Sequence, residues 1–201
     1  MQSSMPIGHY EMLFRGDKVD PHLLDCIDSM IRYIWENEMP KDYEEGWLLK
    51  EDTLKNSLYF YIRKHLEPIM EKHDLRIYTE YRIAKEPYRA DLVIAKLKPM
   101  EQRAESEYLL DTIEEIPILM ELKYKAWAPD MESVIRKDVE KIRNYISRNV
   151  ASHYYLVTIF EAEEDDVFFI DGMRDTWAKG KVTELAAGYI NGDLYFRTVR
   201  L

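Results

Sequence analysis

Apolar positions recur along this chain with two periods, and each change of period marks the end of an element. Over residues 21–37, Leu23, Leu24, Ile27, Met30, Ile31 and Ile34 fall at helical spacing. Asp20 and Pro21 precede them as N-cap and first helical residue. A second stripe, Leu54, Leu58, Tyr61, Ile62, His65 and Leu66, predicts a helix from about Glu51 to His73, kinked or interrupted near its end by Pro68. The segments RIYTEYRI and YRADLVIAKL are short and rich in β-branched and aromatic residues, with AKEP as a turn between them, and predict two antiparallel strands. Residues 98–115 are charged and lack Gly, which fits either a long hairpin connection or a short helical insertion. IPILMELKY reads as a central strand buried on both faces. In residues 130–149, Val134, Ile135, Val139, Ile142 and Ile146 form one helical stripe, and HYYLVTIFEA follows as another buried strand. The tail returns to β: DVFFID, then KVTELAAGYI and DLYFRTVRL, joined through Asn191-Gly192, a pair suited to a two-residue hairpin. This tail extends the sheet or packs as a small annex.

Four charged residues sit in or beside these apolar strands: Glu80, Asp91, Glu121 and Lys123. Side chains alternate across a strand, so Glu121 and Lys123 share one face while Met120, Leu122 and Tyr124 take the other. With the YRADLVI strand alongside, Asp91 converges on that pair, giving two metal-binding carboxylates and an ammonium. The bland alternative is an exposed Glu121–Lys123 pair on an edge strand with Asp91 capping a turn. Strand interiors are depleted in Asp and Glu, which weighs against it.

The order helix, strand, strand, strand, helix, strand, with R-A-D-L-V-I and I-L-M-E-L-K-Y on the second and third strands, resembles the PD-(D/E)xK phosphodiesterase superfamily. The resemblance covers roughly residues 51–161. Ala90 stands where the family name has proline, and the gap from Asp91 to Glu121 is long. An E-x-K triplet arises by chance about once in a chain this rich in Glu and Lys; its setting between an acidic strand and an amphipathic helix supplies the specificity. The resemblance implies an α/β, restriction-endonuclease-like fold: a central mixed sheet flanked by helices (αβββαβ). Length and the absence of a linker predict one domain over 1–201, with a helical extension over 1–50 and a β-rich tail over 165–201 that includes a C-terminal hairpin. The resemblance further implies that Asp91, Glu121 and the backbone carbonyl of Leu122 hold Mg²⁺ or Mn²⁺, that Lys123 orients water or stabilises developing charge, and that Glu80 holds a second metal or a metal-bound water. Lys141 occupies the place of a site-facing helical Lys or Gln. Arg89, Lys141 and Tyr145 are the candidate phosphate contacts, with Lys137, Lys141 and Tyr145 placed along one helix face.

Composition then narrows the function. The 201 residues are 46% hydrophobic, enough for one sizeable core. The first 17 residues lack a basic stretch leading into an apolar one, so no secretory signal is expected, and a lone cysteine, Cys26, fits a cytoplasmic protein. No window reaches membrane-spanning apolar length. The five histidines have no metal-site spacing, and no G-x-x-x-x-G-K or G-x-G-x-x-G occurs. The formal net charge of −10 sits poorly with a nucleic-acid surface, although the acids cluster in runs such as 36–45, 101–115 and 161–166. Against that charge, the resemblance implies a nuclease, cutting DNA ahead of RNA, in restriction, repair, transposition or defence. It would gain specificity as a homodimer or through a protein partner. The competing expectation is an inactive nuclease-like scaffold that binds nucleic acid or protein.

Overall fold

The computed structural model describes residues 19–83, 89–106, 108–126, 131–163, 168–171 and 173–201. The AKEP turn, the first 18 residues and the start of DVFFID lie outside these. Asp20 caps α1 (Pro21–Asn37) by accepting a 2.9 Å hydrogen bond from the His22 N–H. A short α2 (Met39–Glu44), absent from the sequence reading, leads to α3 (Glu51–Lys72). The amide groups of Leu49 and Lys50 donate to Thr53 Oγ1, which fixes the start of α3, while Glu51 and Asp52 in its first turn complement the helix dipole. Pro68 does not interrupt α3. It lies on the exposed face of the last turns, where water can satisfy the carbonyl it leaves without a donor.

Six strands form one mixed sheet in sequence order: β1 (Leu75–Arg82), β2 (Arg89–Leu97), β3 (Ile113–Lys125), β4 (His153–Glu163), β5 (Val182–Ile190) and β6 (Asp193–Arg200). Strands β1, β2 and β3 pair antiparallel, β3, β4 and β5 run parallel, and β6 returns antiparallel to β5. The parallel step from β3 to β4 is bridged by the amphipathic α5 (Met131–Ser147). The 98–115 insertion holds a four-residue helix, α4 (Met100–Arg103), a 3₁₀ turn at Leu109–Thr112 and the first residues of β3. Asn191 and Gly192 both take positive φ, 53° and 82°, as the two-residue hairpin requires. The tail thus extends the sheet.

Apolar residues on the two faces of the sheet make two cores. Met120, Leu122, Tyr124, Tyr155 and Val157 meet Ile27, Ile31, Ile34, Trp35, Leu54, Leu58 and Ile62 of α1 and α3. Leu119, Tyr154, Leu156 and Val182 meet Ile135, Ile142 and Ile146 of α5. Residues 168–171 are not the strand that DVFFID predicts. The amide groups of Phe169 and Ile170 donate instead to the buried carboxylate of Glu184, at 2.7 and 3.2 Å. Among the described residues no helix is long and apolar enough to cross a membrane.

Candidate active site

The β2–β3 ladder runs in regular register through Ile94↔Ile118 and Leu92↔Met120, and no pair is formed beyond Met120. There the seam between the strands is taken over by a side chain: Oδ2 of Asp91 accepts a 2.7 Å hydrogen bond from the backbone N–H of Leu122. Because the N–H and C=O of a strand residue leave by the same edge, the Leu122 carbonyl also faces this seam. The adjoining β1–β2 ladder skips the same level. Thr79↔Leu92 and Tyr81↔Ala90 bracket Glu80 and Asp91, which are not themselves paired, and Glu80 has a left-handed backbone at φ 52°.

Glu121 and Lys123 project to the α5 side of β3, as period-two alternation predicts. Glu121 is fully buried; its Oε2 accepts from Lys141 Nζ at 2.9 Å, and its Oε1 has no hydrogen-bond partner. Burial, reinforced by the neighbouring negative charge of Asp91, pushes the Glu121 carboxyl up to about 8 against the pull of Lys141. Asp91 is also raised, first by burial, although the Leu122 amide opposes this.

Two acids that the motif does not name complete the cluster. Glu51, in the first turn of α3, accepts from Lys123 Nζ at 2.8 Å. Asp138 of α5, 4% exposed, lies 2.8 Å from Lys141 and 3.5 Å from Lys123, so one buried carboxylate spans both ammonium groups. Burial disfavours the charge on each lysine, yet both stand above the ordinary value: Glu51 and Asp138 hold Lys123 there, and Glu121 and Asp138 hold Lys141. The only sequence signal for Glu51 was its helix-start position, and Asp138 reads simply as a charge on an amphipathic helix.

The remaining candidates separate. Glu80 forms an ion pair with Lys55 of α3. Arg89 is exposed at the start of β2. Lys141 reaches the site, as its helical place suggested, whereas Lys137 is exposed. Tyr145 corrects the expectation of a phosphate contact: its side chain is fully buried in the α5 core. Eight residues advance a helix by about 80°, enough to carry a side chain from the solvent edge to the sheet.

A divalent cation fits this donor set on two counts. The unpartnered Glu121 oxygen is buried beside a second carboxylate. In addition, Glu51, Asp91, Glu121 and Asp138 set four carboxylates against the ammonium groups of Lys123 and Lys141, a formal surplus of two that the proton held by Glu121 below about pH 8 halves until a cation displaces it. No group of three or more His, Cys, Asp or Glu among the described residues is arranged to hold a metal unaided. Mg²⁺ in general needs only one or two carboxylates, its other ligands coming from water and phosphate. Comparison with known proteins adds no relative: no family model, curated protein or solved structure matches this chain.

Proposed function

We propose that this chain is a metal-dependent nuclease of the PD-(D/E)xK class with a restriction-endonuclease-like core, and that it cuts DNA in preference to RNA. The observation that carries this reading is the opened seam, where Asp91 and the Leu122 backbone meet the buried, half-satisfied Glu121 carboxylate. Asp91, Glu121 and the Leu122 carbonyl would hold Mg²⁺ or Mn²⁺, which when bound supplies Lewis-acid neutralisation of a phosphate and lowers the pKa of water. Lys123 stands on the same face as Glu121 with its charge secured, so it serves as a fixed ammonium toward charge developing on the phosphate oxygens. Asp138 acts through the lysines. By anchoring Lys123 and Lys141 together it keeps either from collapsing onto the Asp91 carboxylate. A cytoplasmic setting and a role in restriction, repair, transposition or defence belong to the same proposal.

Cleavage of supercoiled, linear and single-stranded DNA and of RNA, with Mg²⁺, Mn²⁺ or EDTA, tests this beside Lys123→Ala. Metal-dependent cutting that the variant loses is the expected result. Equal cutting by both proteins refutes the assignment. The net charge of −10 favours a second reading, in which the chain works with a basic partner, as a partner-directed enzyme or as a non-cutting scaffold. A scaffold shows no Mg²⁺- or Mn²⁺-dependent rise in melting temperature.

A further inference from the structure

Directly across the β1–β2 ladder from Asp91, the one remaining candidate metal ligand is already paired with a buried cation. Lys55 rises from α3 and is 7% exposed, and its Nζ contacts the Glu80 carboxylate. Glu80 stands directly across from Asp91 in the β1–β2 register, with the ladder skipped at that level. Its side chain is half exposed, and its backbone adopts the left-handed region, which is strained for a non-glycine residue and persists only where the surroundings impose it. The kink and the ion pair occur at one residue, so Glu80 is turned toward Lys55 where a regular strand would pair it with β2.

Resting on the nuclease reading, we propose that Lys55 is a built-in cation standing in for a second metal between Glu80 and Asp91, which makes this a one-metal site. Burial works against the Lys55 charge, but Glu80, Asp91 and Asp52 together hold the ammonium above the ordinary lysine value. On the α3 side the ammonium is held by Glu80 and by Asp52 at 3.9 Å, while Lys141 approaches the site from α5. Glu80 is a positioning residue for Lys55. Lys55 in turn supplies the charge that a second ion would bring to the phosphate-facing side of Asp91.

Calorimetric titration of the folded, metal-free protein with Mn²⁺ counts the sites without reference to cutting. Wild type binds one Mn²⁺ per chain, Glu80→Gln still binds one, and Lys55→Met binds two because its vacated place lies between two carboxylates. A residue acting through Lys55 costs at most about 10- to 100-fold in affinity with the count kept at one, so abolished Mn²⁺ binding in Glu80→Gln would make Glu80 a metal ligand and overturn the proposal. Two Mn²⁺ in wild type, or one in Lys55→Met, overturns it equally. If melting curves show Lys55→Met unfolded, Lys55→Gln and the Lys55→Met/Glu80→Gln double variant replace it. The Gln variant is expected to bind two ions, and the double variant, having lost one wall of the vacated place, is expected to bind one. No Mn²⁺ bound by wild type refutes the nuclease reading itself and the proposal with it.

Discussion

Glu121→Gln separates stability from function in opposite directions. The wild-type carboxyl stands at about 8 in the folded protein against an ordinary 4.5. Between those values the folded state holds a proton that the unfolded state has released, so stability falls as pH rises through the window. Each pH unit above 4.5 costs about 1.4 kcal/mol, so at pH 7 the metal-free protein gives up roughly 3 kcal/mol to this one side chain. Glutamine keeps the shape and a carbonyl acceptor for Lys141 without that cost. In EDTA at pH 7 the variant is therefore expected to be more stable by about 1–3 kcal/mol, which for a chain of this size is roughly 2–12 °C in melting temperature. The wild-type decline between pH 6.5 and 8 should vanish in the variant. With Mg²⁺ or Mn²⁺ at about a hundredfold above its dissociation constant, wild type gains about 2.7 kcal/mol by mass action and the variant gains nothing. Differential scanning fluorimetry across pH, with and without metal, reads all of this. A variant that melts below wild type in EDTA, or that keeps the full metal-dependent shift, refutes the assignment of Glu121 as a strained carboxylate awaiting a cation.

Three further outcomes follow from the fold around the site. His153 is buried near Asp28 and Arg200 and donates to or accepts from Thr183 Oγ1 at 2.8 Å; burial lowers it to about 4, so the folded state takes up a proton later than the unfolded one. Its contribution of up to about 3 kcal/mol is present above pH 6.5 and lost as pH falls toward 4, so urea melts of His153→Gln should show a shallower acid limb than wild type. Glu184→Ala strands the buried Ile170 amide together with the Phe169 amide and should cost about 2–4 kcal/mol, read from urea midpoints at unchanged slope. Tyr124→Phe removes a hydroxyl whose single proton lies between the Leu48 carbonyl at 2.9 Å and Glu161 at 2.5 Å, and is expected to cost about 1–2 kcal/mol and to speed amide exchange at the start of α3.

The sequence by itself determined the long periodic elements and the local facing of their side chains, because periodicity is written into successive residues. The helices at 21–37 and 51–72, the hairpin at Asn191-Gly192 and the shared face of Glu121 and Lys123 all follow from spacing alone. Tertiary structure decided what no local pattern encodes. Lys123 meets Glu51 across 72 positions of sequence, and Asp138 couples Lys123 to Lys141 only because α5 crosses over the β3–β4 step. Pro68 stays within α3 because its face is exposed, and residues 168–171 leave the strand conformation because a buried Glu184 carboxylate captures their amide groups. The same is true of Glu80, whose place on the first strand suggested a metal ligand and whose side chain pairs with Lys55 from a left-handed backbone. A charge's partner is chosen by strand register and helix docking, and these come from the packing of two apolar faces over the whole chain.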